Sequence, residues 1–133
     1  MKQHVIILII VLSTLASCEH ESQLSYIIKN SSTSEIKVIS INTNTNRHPQ
    51  GPADTFAISV GESAIIAVNG QGINRVNSYK ETAENLRDFT KMDIFKNDTM
   101  QSTVDFLKTS RWIYNETDRF TAEYLLTVTD SDF

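Results

Sequence analysis

The sequence predicts an all-β domain: an antiparallel two-sheet sandwich, immunoglobulin-like, of roughly seven or eight short strands, with a small β-barrel as the alternative. Three observations predict it. Several short segments alternate apolar and polar residues with a period of two, the spacing that puts one face of a strand in a core. Turns rich in Asn, Ser and Asp interrupt the chain too often for long helices. The 133 residues contain only four glycines, and no succession of strand and helix patterns of the kind that builds a parallel sheet.

Taken in order, Leu24, Tyr26 and Ile28 share one face of a first strand. Ile36 to Ile41 form a second, and the polar Asn30 to Ser34 turn between them predicts an antiparallel pair. Asn42 to Asp54, rich in Asn and Thr and ending near Pro49 and Pro52, reads as a long irregular loop. Phe56 and Ile58 mark a short strand, Gly61-Glu62 a turn, and Ala64 to Val68 an almost continuous apolar strand, buried on both faces or bent at an edge. Asn69 to Gly72 closes it. From Asn74 to Lys91 the pattern is thin, with room for one or two helical turns in Lys80 to Asp88. Met92 to Phe95 and Met100 to Leu107 flank Lys96-Asn97-Asp98 as a hairpin. Arg111 to Tyr114 form a strand. Phe120 to Thr129 form the most regular one, whose length predicts a place inside a sheet.

The amino terminus carries an address. Lys2 precedes the apolar run Val5 to Leu12, and Leu15-Ala16-Ser17 lead into Cys18, which is the only cysteine. The run is shorter than the ~20 residues a membrane-spanning helix needs. The layout is that of an export signal. Residues 15 to 18 resemble a lipobox, in which small Ala16 and Ser17 suit a narrow protease groove and Cys18 supplies the thiol to be acylated. This divides the chain into a signal peptide (1–17), a lipidated Cys18 with a short tether (18–23), and one domain (24–133). Two or three acyl chains hold a protein firmly to a bilayer, and the five residues from Glu19 to Gln23 reach at most about 17 Å, so the domain is expected close to the membrane.

Composition narrows the function. Without Lys2, 11 basic residues face 16 acidic ones, a net charge of −5 for the remaining chain. Its Lys and Arg residues are scattered singly, which excludes the basic patches of nucleic-acid binding. With Cys18 consumed by lipid, disulfides and thiolate metal sites are excluded too.

No pattern reaches a catalytic site. His20 lies in the tether and His48 in the long loop. A nucleophile at Ser40 or Ser59 would have only His48 as base and lacks a nucleophile-elbow motif. The carboxylate pairs Asp93 with Asp98, Glu116 with Asp118, and Asp130 with Asp132 lie at turns or ends, without an aromatic-lined cleft for glycosidase work. Asp130-Ser131-Asp132 offers oxygens for calcium but lacks the spacing of an EF-hand loop. The reading is therefore no cofactor and no metal. Trp112 and Tyr114 share strand parity, so they form either a binding platform or part of the core. Asp98-Thr99-Met100 resembles a short bacterial O-glycosylation acceptor, which makes Thr99 a candidate modification site.

The lipobox, Tyr26-Ile27-Ile28-Lys29-Asn30, the Val60-Gly61-Glu62 turn, Trp112 and the terminal Tyr124 to Phe133 together resemble small uncharacterised lipoproteins of the Bacteroidota. That resemblance implies an envelope location, lipid-anchored and at the outer membrane, and transfers no catalytic residue. The expected function is a non-enzymatic module tethered to the membrane that binds an envelope protein or glycan. A periplasmic inhibitor or immunity lipoprotein acting through the Asn42 to Asp54 loop is the alternative. A glycan-acting hydrolase is a third.

Overall fold

The computed structural model describes residues 20–43, 53–70 and 72–133. Among the described residues, eight strands form two four-stranded sheets. Sheet A contains β1 (Gln23–Asn30), β4 (Ser63–Gly70), β7 (Ile113–Glu116) and β8 (Thr121–Val128) in the order β4-β1-β8-β7. Sheet B contains β2 (Ile36–Asn42), β3 (Asp54–Ile58), β5 (Phe89–Lys96) and β6 (Met100–Gln101) in the order β3-β2-β5-β6. Neither sheet closes on itself, so the architecture is the sandwich and not the barrel.

Alternation decides the inner faces. Leu24, Tyr26 and Ile28 of β1, Ile36 and Val38 of β2, Ile94 of β5, and Ala122, Tyr124, Leu126 and Val128 of β8 are all buried in one cluster. Each such large apolar side chain contributes about 1.5–3 kcal/mol by leaving water. Tyr26 sits at the centre. It stacks on Tyr124 within sheet A at 5.3 Å and meets Phe89 of sheet B edge-on at 5.0 Å, so its ring joins the layers.

β1 and β2 do not form the expected antiparallel pair; they lie in opposite sheets. The reason is Asn30, which is fully buried where the chain leaves β1. Its amide nitrogen donates to the carbonyls of Ser34 at 2.8 Å and Ile58 at 2.9 Å, and its oxygen accepts from the Ser32 N–H at 2.9 Å. The turn is thereby folded into an arch that crosses the core. β1 instead pairs antiparallel with β4 and parallel with β8, from Gln23 beside Thr121 to Asn30 beside Val128. This is the one parallel ladder among the described strands, which are otherwise antiparallel as expected.

Other departures have local causes. β4 is an edge strand with a bulge: Tyr26 pairs with Ala67 and Ile27 with Ile65, leaving Ile66 as the extra residue. The apolar run is therefore bent and not buried on both faces. The hairpin of β5 and β6 turns at Asn97 (φ 51°) and Asp98 (φ 60°), the left-handed pair a tight hairpin demands. Beyond Gln101 the Ser102 N–H still reaches the Ile94 carbonyl at 2.9 Å, but the chain then turns on its own side chains: Val104 N–H donates to Ser102 Oγ and Leu107 N–H to Asp105 Oδ1. Val104 and Phe106 consequently lie outside any strand. The helical turn falls at Val76–Tyr79 as a short 3-10 segment, while residues 80–88 are irregular. The long loop lies mostly outside the described residues.

Candidate functional site

The outer face of sheet A carries a feature that strand parity creates and register aligns. Ile65 of β4 pairs with Ile27 of β1, Ile27 pairs with Leu125 of β8, and Leu125 pairs with Ile113 of β7. These four aliphatic residues form one row across all four strands, about 14 Å long at the usual strand spacing. The two ends are open to solvent: Ile65 is 58% exposed and Ile113 65%. Val68, 42% exposed, stands beside Ser25 in the neighbouring row. Single exposed aliphatic residues are ordinary on protein surfaces; an aligned row that spans a whole sheet is less so.

At its β7 end the row runs into a groove of about 320 Å³ whose walls include Ile113, Leu125, Thr127, Thr129 and Arg111. The groove exists because β7 is short. Its pairing with β8 stops at Ile113 and Leu125, and the preceding Thr109–Arg111 segment turns away as a 3-10 helix. Ser110, Ser131 and Asp132, whose carboxylate accepts from Arg111, complete the walls, so the surface combines an apolar strip with hydroxyl groups and one ion pair at its end.

The tether meets the same sheet from one end. The His20 ring stacks on Phe120 at 5.6 Å, the Ser22 N–H donates to the Gly72 carbonyl at 2.6 Å, and the Gln23 N–H donates to the Phe120 carbonyl at 2.7 Å. Ser22 is fully buried. The contacts of the domain therefore begin before Leu24, within the segment 18–23 expected to be the short tether.

Cys18 and the preceding Leu15, Ala16 and Ser17 lie outside the described residues, as does His48. Trp112 and Tyr114 do not make an exposed platform. Trp112 is 6% exposed, with its indole N–H donating to the Phe106 carbonyl at 2.8 Å, and Tyr114 is half-buried with its ring 5.1 Å from Tyr124. Their shared parity is the core-facing one, and the exposed residue between them is Ile113. Burial, and then Glu116, push the Tyr114 phenol up to about 12. Thr99 is exposed beside the β5–β6 turn, next to Asp98, which pairs with Lys37 at 2.5 Å.

The carboxylate pairs meet different fates. Asp93 pairs with Lys91 at 2.9 Å, away from Asp98's partner. Asp130 accepts from Lys96 at 2.6 Å and from the Thr33 N–H at 3.0 Å, and Asp132 accepts from Arg111. Lys96 and Arg111 thus each engage Oδ1 of one of these aspartates, and Asp132 Oδ2 accepts from the Thr129 N–H. Glu116 and Asp118 do share one cavity, with Arg75, Asn77 and Arg119.

Sequence reasoning missed a polar network at the edge of the core. Asp88 accepts from the Tyr26 hydroxyl and from Asn69 Nδ2, both at 2.8 Å, and Asn42 Nδ2 donates to Asn69 Oδ1 at 3.0 Å. Nearby, buried Glu81 receives Arg87 Nε at 2.8 Å, while its own N–H donates to the Tyr124 hydroxyl at 2.6 Å. Burial, reinforced by Asp88, pushes the Tyr26 phenol far above its ordinary range, and burial also raises Tyr124. Both phenols stay protonated and serve as fixed donors and acceptors that hold residues 80–88 against sheet A. Comparison with family models, curated proteins and solved structures gives no match.

Proposed function

We propose that this chain is a lipid-anchored envelope protein that acts by binding, and that its contact surface is the outer face of sheet A. The row of Ile65, Ile27, Leu125 and Ile113 carries the reading. Its aliphatic character favours a protein partner over a glycan, because sugar rings are held by aromatic platforms, and Trp112 turns inward. Asp93, Asp98, Asp130 and Asp132 pair with basic side chains, and Glu116 and Asp118 line an open cavity, which favours binding over hydrolysis. Anchoring through Cys18 rests on the lipobox, and the tether packed against Phe120 would hold sheet A at a fixed orientation near the bilayer.

The test replaces exposed ends of the row. Ile65→Glu with Ile113→Glu should leave the fold intact and abolish the cross-links that a photoreactive residue at position 27 forms with its envelope partner. A cross-link pattern identical in the variant and the parent protein would defeat the assignment of this face. Intact mass of the native product tests the anchor separately: an unacylated Cys18 would remove it.

A further inference from the structure

Where the tether enters the fold, a cavity of about 340 Å³ opens between Arg75, Asn77, Glu116, Asp118 and Arg119. The two arginines are brought together by the backbone, since the Val76 N–H donates to the Arg119 carbonyl at 3.0 Å. Neither is ion-paired among the described residues. Arg119 lies over the Phe120 ring at 5.1 Å, and Phe120 is the ring on which His20 stacks. Asp118 is already engaged by the Phe120 N–H at 2.7 Å, which holds its carboxyl below the usual range, so a negative charge is kept on one wall.

The position of this cavity is as telling as its chemistry. His20 is two residues from Cys18, a span of at most ~7 Å of extended chain. The cavity therefore lies at the end of the sandwich from which an acyl anchor would leave. Ile73, 61% exposed, is two residues from Arg75 on that same approach. Two unpaired guanidinium groups suit a phosphate, and the two carboxylates that share the cavity suit an ammonium group. A volume near the low end of ~300–1,000 Å³ fits a small polar group and not an extended polymer.

We propose that this cavity binds the phosphoethanolamine headgroup of a membrane phospholipid, with the phosphate between Arg75 and Arg119 and the ammonium toward Glu116 and Asp118. The proposal rests on the lipid-anchor reading and deepens it. The acyl chains supply attachment, and the headgroup contact fixes which end of the domain faces the bilayer.

Phenylglyoxal labelling of arginines, located by mass spectrometry, tests this on the full native product. The protein is compared in neutral detergent micelles, in the same micelles with glycerophosphoethanolamine or with inorganic phosphate, and in vesicles of phosphatidylcholine with or without phosphatidylethanolamine. Arg75 and Arg119 should be protected at least fivefold by glycerophosphoethanolamine and by phosphatidylethanolamine vesicles, with Arg111 unchanged as the internal control. Protection by inorganic phosphate but not by phosphatidylethanolamine vesicles would make this a free-phosphate site and overturn the proposal. Equal protection by pure phosphatidylcholine, whose trimethylammonium has no N–H to donate, would overturn the role given to the carboxylates. Unchanged labelling of both arginines in an acylated product overturns the headgroup site alone. An unacylated Cys18 in the same mass spectra overturns the anchor, and with it the membrane-facing role of the cavity.

Discussion

Asn30 is the side chain on which the crossing between sheets depends most directly. Replacing it with alanine removes the donors to Ser34 and Ile58 and the acceptor for Ser32. Ser34 keeps the Ser32 hydroxyl as a donor, which leaves the Ile58 carbonyl and the Ser32 N–H as the groups deprived of Asn30. A buried polar group without a partner costs about 1–3 kcal/mol, so Asn30→Ala should destabilise the fold by about 3–4 kcal/mol. Against a total of about 5–15 kcal/mol for a domain of this size, the loss is large. Urea unfolding followed by fluorescence of Trp112, the single tryptophan and a buried one, should show a midpoint lower by ~2 M if the slope is ~1.5 kcal/mol per M. Asn30→Asp provides a control with a sign of its own. It keeps an acceptor for Ser32 but turns a carboxylate toward two carbonyls, so it should be at least as destabilising near neutral pH and recover as acid protonates it. A shift below about 0.5 kcal/mol for Asn30→Ala would refute the account of the arch.

The remaining predictions concern surface and charge. Ile113→Lys should change stability by no more than about 0.5 kcal/mol in the same urea assay, because the side chain is exposed. Trp112→Phe should be destabilising by about 1–2 kcal/mol through the lost indole bond to Phe106 and the smaller ring, seen as a lower thermal midpoint by circular dichroism. The Lys96 ammonium and the Thr33 N–H hold the Asp130 carboxyl below its ordinary value, so its contribution is present above the unfolded value of about 3.9 and is lost as pH falls through the lower folded value. Asp130→Asn should accordingly flatten the acid limb of a stability profile. Tyr114 has the opposite sign: with its phenol raised to about 12, its contribution is complete below the unfolded value of ~10 and disappears as pH rises toward 12. Tyr114→Phe should make the alkaline limb of that profile shallower.

The elements that could be read from the chain were those whose information is local. Period-two alternation in Tyr124, Leu126 and Val128 fixes β8 and its inner face, and the Asn97-Asp98 pair fixes a hairpin because few residues tolerate left-handed backbone. Strand partnership was not local. The Asn30 to Ser34 turn looks like a hairpin in sequence and becomes an arch only because Ile58, 28 residues away, supplies a carbonyl for Asn30. The parallel pairing of the first strand with the last leaves no turn signal at all. The aliphatic row followed the same logic: Ile27, Leu125 and Ile113 each sit opposite their strand's core parity, yet nothing shows that they align until the register is known. Arg75 and Arg119 are 44 positions apart, and the scattered basic residues gave no hint that these two share a cavity.

The place of β1 connects anchorage to binding. A strand at a sheet edge, pulled from its end, can peel away one bond at a time. β1 lies between β4 and β8 and is paired along both sides, parallel to β8 from Gln23 to Asn30. A force on the tether acts along that strand, so it loads both ladders in shear and must break many hydrogen bonds together. A chain anchored through Cys18 is thus held by the part of sheet A that resists such force best. The same strand contributes Ile27 to the middle of the outer row, so under the proposed anchoring a partner bound there would be linked to the membrane through one doubly paired strand. The arch that Asn30 holds agrees with this arrangement: β4 and β8 occupy both flanks of β1, and β2 lies in the other sheet.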